Sequence, residues 1–340
     1  MIRVFVVDDS AFVRRALTRV LATQPGFTVV GAAESGAEAL AKVPAADPDF
    51  VTLDVEMPGM DGLQVLPALL RWKPSLRVVM LSAHTREGAT ATVAALAAGA
   101  VDFIDKSAFN VMDLEYLRRE VVDRMQALAP RKGTARGNGT PTPETGDRAV
   151  PTQLRQCDVC VIGASTGGPP ALQRILERLP GRFPLPIVVV QHMPPGFTDA
   201  FARRLDTVSR LRVREAVEGM RLAPGQVVVA PGGRHLRISS GLAVVLATEP
   251  EARHIPSIDV TMRSAARSRP GRVLGILLTG MGEDGADGMA TIRAGGGVTI
   301  AESEASCVVY GMPRAAVRRG GASLVLPLEE IAELLAAVSG

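Results

Sequence analysis

Apolar residues in the first 128 positions keep changing their spacing. Short β-branched runs read as strands: Arg3 to Val7, Phe27 to Val30, Phe50 to Leu53, Val78 to Leu81 and Val101 to Ile104. Between them apolar residues recur at helical spacing, from Phe12 to Leu21, Ala37 to Val43, Leu63 to Leu70 and Ala89 to Ala98. A last helical pattern runs from about Met112 to Leu128. Five strands alternating with five helices predict a parallel sheet covered on both faces. Right-handed crossovers make residues 1–128 a doubly wound, flavodoxin-like (βα)5 domain.

The pattern lapses from Ala129 to Gln156, a stretch rich in Gly, Pro, Thr and charge with no apolar period. Such a composition buries too little surface to fold, so residues 129–156 read as a flexible linker. A coil of about 25 residues spans roughly 25–30 Å on average, enough to let its flanks dock or separate. Alternation then resumes over residues 157–340. Strands are predicted at Val159 to Ile162, Ile187 to Val190, Gln226 to Val229, Leu236 to Ile238, Leu242 to Leu246, Val273 to Leu278, Val298 to Ile300 and Leu324 to Leu326. A final helix runs from Leu328 to Val338. The second domain is thus a doubly wound, mostly parallel α/β unit, with an antiparallel hairpin inserted between Gln226 and Leu246.

Composition narrows the functional classes. With 47% hydrophobic and 21% charged residues, the 340-residue chain has a normal globular balance. A net charge of +3 and no basic run give a nucleic-acid partner no electrostatic support. The apolar run near Val93 to Val101 is far short of the roughly 20 residues a membrane helix needs. Met1-Ile2-Arg3-Val4 already reads as strand and lacks a signal-peptide layout. A cytoplasmic protein without membrane insertion is expected. Cys157 and Cys160 form a C-x-x-C, but no second ligand pair at zinc-finger spacing follows, and Cys160 lies in a strand pattern. Two small strand residues are the simpler reading.

In the first domain, polar residues stand where an α/β sheet holds its ligands, beyond the carboxyl ends of strands. Asp8 and Asp9 end the first strand, Asp54 the third and Ser82 the fourth, while Lys106 follows the fifth. Carboxylates converging at one edge repel unless a cation joins them, and all-oxygen ligands suit Mg²⁺. Strand ends are often polar and solvated, so one such acid would mean nothing; matches along successive βα units are harder to dismiss.

The stretches Val6-Val7-Asp8-Asp9-Ser10, Leu53-Asp54-Val55-Glu56-Met57-Pro58-Gly59-Met60-Asp61-Gly62, Ser82-Ala83 and Asp105-Lys106 resemble the receiver domain of bacterial response regulators. The resemblance implies that Asp54 accepts a phosphoryl group from a histidine kinase. It also implies that Asp9, Asp54 and the Glu56 carbonyl hold Mg²⁺, with Asp8 acting through water. Lys106 and Ser82 would contact the phosphoryl oxygens, and Phe103 matches the rotating switch aromatic. Ser107 replaces the proline usual after the lysine, which bears on the loop geometry there.

The second domain opens with Val161-Ile162-Gly163-Ala164-Ser165-Thr166-Gly167-Gly168-Pro169, a strand, a small-residue turn and a helix start. It fits G-x-S-x-G, the turn that lifts a serine hydroxyl to a sheet edge. A dinucleotide fingerprint fits worse, because Ser165 stands where the second glycine is needed and Gln191-His192 ends the next strand in place of an acid. A serine nucleophile needs a base and an orienting acid. Of four histidines, His84 falls in the first domain, and His192 ends the strand next to that of Ser165. His235 sits in Ala230-Pro231-Gly232-Gly233-Arg234-His235, and His254 in a polar stretch before Pro256. Position favours His192. Asp284 in Thr279-Gly280-Met281-Gly282-Glu283-Asp284-Gly285 is the natural acid, with Glu283, Asp287 and Asp259 as rivals.

The order Ser165, His192, Asp284 departs from the order in α/β-hydrolases. It instead resembles the chemotaxis protein-glutamate methylesterase (CheB) family, through Gly163 to Gly168, Gln191-His192-Met193, Ala230 to His235, Pro256-Ser257-Ile258-Asp259 and Thr279 to Gly285. The family is matched end to end: receiver, linker and catalytic domain. The resemblance implies a Ser165–His192–Asp284 esterase with oxyanion donors near Thr166 and Met281, needing no cofactor of its own. Its substrates would be glutamate methyl esters, and certain glutamines, on chemotaxis receptors.

Overall fold

In this computed structural model, residues 1–83, 85–106, 118–129 and 152–338 are described. The first domain carries β1 (Ile2–Val7), β2 (Phe27–Ala33), β3 (Phe50–Asp54), β4 (Arg77–Ser82) and β5 (Asp102–Asp105). Every pairing is parallel, in the order β2-β1-β3-β4-β5. Val4 to Val7 and Phe50 to Asp54 are buried at every position, as strands covered on both faces must be. Helices α1 (Ala11–Ala22), α2 (Gly36–Ala46), α3 (Gly62–Trp72) and α4 (Arg86–Ala97) supply the cover. Asp61 starts α3 with a reciprocal cap, its carboxylate accepting Gln64 N–H while the Gln64 side chain accepts Asp61 N–H.

Of the helix predicted from Met112 to Leu128, residues 112–117 lie outside the described residues, as do His84 and Ser107. Its remainder is irregular: a π-helical turn, Arg119–Asp123, leads into α5 (Arg124–Leu128). Residues 130–151 of the predicted linker also lie outside the described residues. Thr152–Gln156 forms one 3₁₀ turn, and Leu154 in it is fully buried.

The main sheet of the second domain runs β14-β13-β12-β6-β7-β9-β8. Its strands are β6 (Val159–Ala164), β7 (Ile187–Gln191), β8 (Arg212–Glu215), β9 (Gln226–Val229), β12 (Val273–Leu277), β13 (Val298–Glu302) and β14 (Leu324–Leu326). All of its pairings are parallel. The antiparallel hairpin, β10 (His235–Ile238) with β11 (Val244–Ala247), is a separate two-stranded sheet beside it and not an insertion in it. Leu236, Ile238 and Val244 bury their side chains in a cluster with Ile258 and Met262, which satisfies the hairpin without the main sheet. Helices α6 (Gly168–Arg178), α7 (Phe197–Val208), α8 (Ile258–Ser268), α9 (Ala286–Ala294), α10 (Met312–Arg318) and α11 (Leu328–Ala337) complete the domain. Cys157 and Cys160 are buried free thiols, pushed above the usual thiol range by that burial.

The order in which strands are added switches sides at β6: β7, β9 and β8 spread to one side, and β12, β13 and β14 to the other. Loops leaving β6 and its neighbours therefore open a crevice at the carboxyl edge, the position where open α/β sheets bind ligands.

Candidate active site and phosphoacceptor site

At the carboxyl edge of the first sheet, oxygens of Asp8, Asp9 and Asp54 lie within 4.8 Å of one another. Asp8 and Asp54 are buried, and Lys106 Nζ sits 2.8 Å from Asp8 Oδ2 and 2.7 Å from Asp54 Oδ2. Burial pushes Asp54 up to about 6 against the pull of the Lys106 hydrogen bond, helped by the charge of Asp8. Burial alone would lower Lys106, but its bonds to Asp54 and Asp8 outweigh it and hold the ammonium up. Three carboxylates against one ammonium leave excess negative charge, and every donor is a hard oxygen. The set suits a small dication such as Mg²⁺. Ser82 is buried, with its hydroxyl donating to the Gly88 carbonyl of α4 at 3.1 Å. The Glu56 N–H donates to Asp54 Oδ1 at 3.2 Å, and the Glu56 side chain accepts from Thr85.

In the second domain Ala164 pairs with Gln191, so Ser165 and His192 leave adjacent strands at the same level. His192 Nδ1 lies 3.2 Å from Ser165 Oγ, and His192 Nε2 lies 2.8 Å from Asp284 Oδ2. Asp284 is acceptor-only when ionised, so Nε2 carries the proton and donates, leaving Nδ1 to accept the Ser165 hydroxyl. The two ring nitrogens thus exchange the roles they hold in the serine-protease template. Asp284 also accepts from Ser257 Oγ at 2.9 Å, Ile258 N at 2.8 Å and Asp259 N at 3.0 Å. The latter two are free amides at the start of α8, where the helix dipole favours an anion. Burial alone would raise the Asp284 carboxyl, but His192 and these amides hold it far below the usual carboxylate range.

Of the rival acids, Asp259 caps Gly288 N–H, while Glu283 and Asp287 pair with Arg319, and Asp287 also with Arg263. None of the three has a hydrogen bond to His192. His235 is fully buried; its Nδ1 accepts Ser257 N–H at 3.1 Å and its Nε2 donates to the Pro250 carbonyl at 2.9 Å. That ring holds the Ser257 turn in place.

Two loops frame the serine. Ser165 N–H donates to the Thr279 carbonyl, and the Thr279 hydroxyl reaches the Thr166 carbonyl at 3.0 Å. Among the described residues, neither Thr166 N–H nor Met281 N–H has a hydrogen-bond partner, which leaves both available to an oxyanion. Gly280 lets these loops meet, since a Cβ there would stand 2.8 Å from Ser165 Cβ and 2.6 Å from Met312 Sδ. Gly167 turns into α6 with φ +77°, and its missing Cβ makes room for Val308.

The first domain closes over this site. A cleft of about 450 Å³ is lined from the catalytic side by Ser165, Thr166, His192, His254 and Met281, and from the other by Asp102, Phe103 and Arg124. Helix α4 packs on α7, and Phe103 stacks on Phe197 with ring centroids 4.8 Å apart. Thr166 Oγ1 donates to Asp102 Oδ2 at 2.9 Å. Asp102 also pairs with Arg124, whose other nitrogen donates to Glu120. Sequence reasoning named His254 and Ser257 without giving either a contact in the site, and did not single out Asp102. A serine opening a helix pattern at Ser257-Ile258-Asp259 is an N-cap signal, but nothing local indicates that its hydroxyl reaches an acid 27 positions away.

The family profile described as CheB methylesterase matches residues 160–335, and that of the response regulator receiver domain matches residues 4–115. A protein-glutamate methylesterase/protein-glutamine glutaminase of Symbiobacterium thermophilum is 45% identical over 353 residues, covering 100% of this chain and 97% of the relative. One of the same name from Archaeoglobus fulgidus is 45% identical over 350 residues, covering 97% and 96%. Among solved structures, the catalytic domain of Thermotoga maritima CheB methylesterase matches with a TM-score of 0.52 at 42% identity, covering 54% of this chain and 98% of that one. With relatives this similar along its whole length, the chain belongs to the CheB methylesterase family.

Proposed function

We propose that this protein removes methyl groups from glutamate methyl esters on chemotaxis receptors, and deamidates particular receptor glutamines, under control of phosphorylation at Asp54. The Ser165–His192–Asp284 hydrogen-bonded chain at the switch point of the sheet carries this reading. Ser165 Oγ attacks the γ-carbonyl carbon while His192 Nδ1 takes the hydroxyl proton. The carbonyl oxygen becomes an oxyanion facing Thr166 N–H and Met281 N–H, each such donor worth about 3–4 kcal/mol. His192 gives its proton to the leaving oxygen, and methanol departs from the acyl-enzyme. Water then adds with His192 as base, and the glutamate carboxylate and Ser165 are regenerated. With glutamine the leaving group is ammonia. Asp284 fixes the tautomer and stabilises the imidazolium.

In the receiver, Asp54 is the phosphoacceptor, a histidine kinase the donor, and Asp8, Asp9, Asp54 and the Glu56 carbonyl the holders of Mg²⁺. That ion would offset negative charge as the phosphoryl group arrives. Lys106 and Ser82 then bind phosphoryl oxygens, so Ser82 leaves Gly88, and Phe103, now stacked on Phe197, is free to move. Residues 1–128 act as the switch, 129–156 as the tether and 157–340 as the enzyme. Docked as described, the receiver blocks a bulky receptor helix from Ser165. Among the described residues no helix is long and apolar enough to cross a membrane.

The test is methanol release from methyl-labelled receptor membranes. Ser165→Ala should abolish it while acetyl phosphate still labels the protein; activity within a few-fold of wild type would refute the serine mechanism.

A further inference from the structure

His254 is a second imidazole in the active-site cleft, and the catalytic steps above do not use it. Its ring lies against that of His192, with centroids 4.2 Å apart and planes 16° from parallel. His χ2 is a broad, roughly two-fold torsion, so its rotamer well alone does not fix where the ring nitrogens point. A flat group against the ring face restricts that rotation.

The segment around His254 is itself anchored. The Ile255 carbonyl accepts Gly233 N–H, and Ser257 N–H donates to His235. The next residues, Ser257 to Asp259, supply three of the four donors that hold Asp284. One short stretch, His254 to Asp259, therefore frames the catalytic imidazole from two directions: through the ring face and through the acid bonded to its edge.

We propose that His254 is a positioning residue of the esterase, holding the His192 ring with Nδ1 on Ser165 by stacking against it as a neutral plane. This rests on the esterase reading above. Groups facing His254 are His192, Asp284 and Arg253 within the catalytic domain and Arg124 from the receiver. Burial pushes the His254 ring down to about 4, and the charge of His192 adds to the effect, so it is uncharged at neutral pH. A neutral π face tolerates, and weakly attracts, the imidazolium that His192 becomes when it takes the serine proton. A charged ring there would oppose that step.

The experiment compares His254→Ala, His254→Phe and Ser165→Ala in the full-length chain, saturated with acetyl phosphate so that docking does not limit the rate. Methanol release from receptor membranes gives kcat and KM, and thermal melting reports folding. Misplacing a catalytic group by about 1 Å can cost on the order of a hundredfold. His254→Ala should therefore lower kcat by roughly ten- to a hundredfold, with KM within about twofold. His254→Phe keeps a flat neutral ring and should return kcat to within about threefold of wild type, with an unchanged pH profile from about pH 6 to 8. Three results would overturn the proposal: an Ala variant as fast as wild type, a loss confined to KM, or a folded Phe variant no better than Ala. Turnover by Ser165→Ala would instead refute the esterase mechanism itself, whatever the His254 variants do.

Discussion

Replacing Asp284 by asparagine tests the geometry of the site most directly. The carboxylate accepts four hydrogen bonds, two on each oxygen: His192 Nε2 and Ile258 N on Oδ2, Ser257 Oγ and Asp259 N on Oδ1. An asparagine keeps one acceptor oxygen and puts an NH₂ group in place of the other. If the oxygen stays toward His192, the NH₂ confronts Asp259 N–H, donor against donor. One buried unpaired donor costs about 1–3 kcal/mol. If the amide flips, the NH₂ donates to His192 Nε2, which moves the ring proton to Nδ1 and leaves no acceptor for the Ser165 hydroxyl. Both arrangements also remove the charge that stabilises the imidazolium. The equivalent change in the serine-protease template costs about 10⁴ in kcat.

For Asp284→Asn we therefore expect kcat to fall about 10³- to 10⁴-fold, equivalent to roughly 4–5.5 kcal/mol. The unpaired donor's cost of about 1–3 kcal/mol should lower the melting temperature by roughly 2–12 °C, at roughly 2–4 °C per kcal/mol for a domain of this size. Glu283→Gln and Asp287→Asn, which disturb only the pairs with Arg319 and Arg263, should stay within a few-fold of wild type. Methanol release and melting on all three variants decide the matter. An Asp284→Asn enzyme within tenfold of wild type, or equal losses at the three positions, would refute the assignment. The pH dependence follows from the direction of the shift. A carboxyl held below its unfolded value contributes stability that is complete above about pH 4 and lost as pH falls toward the folded value. Activity lost between pH 5 and 7 would thus not originate at Asp284.

Two further predictions concern control. Asp54→Asn should abolish labelling by acetyl phosphate and stimulation by it, yet leave basal methanol release intact; a mutant that still labels would place the phosphoacceptor elsewhere. Thr166→Val removes the hydrogen bond to the Asp102 carboxylate, a class of bond worth about 1.5–3 kcal/mol. If that bond helps hold the receiver down, unphosphorylated activity should rise by roughly tenfold or more, while a fragment starting at Gln153 gains nothing from the same change. An unchanged ratio of basal to stimulated activity would show that the contact does not restrain the receiver.

Nearly every strand of both sheets was legible in the sequence because parallel strands buried on both faces leave unbroken β-branched runs. Strand β8 was not: Arg212, Arg214 and Glu215 leave only Val213 buried, the charged pattern of a sheet edge. Strands β10 and β11 were visible, but their pairing with each other apart from the main sheet depends on contacts with α8 that no local pattern states. Ser165 and His192 could be read because each ends a strand, and the order of strands brings their loops together. His254 and Asp102 lie on no motif. The roles proposed for them rest on a stacking contact across 62 positions and a hydrogen bond across 64, which only the folded chain reveals.

The triad distances are already in place beneath the docked receiver. On the proposed reading, activation then needs no rebuilding of the catalytic groups, and what phosphorylation changes is the share of time the cleft stands open. An enzyme whose competent form is merely hidden delivers output in proportion to its uncovered fraction. The expected response is a dial without a threshold: turnover tracks the phosphorylated fraction from its first few per cent, and it falls as soon as the phosphoryl group is lost.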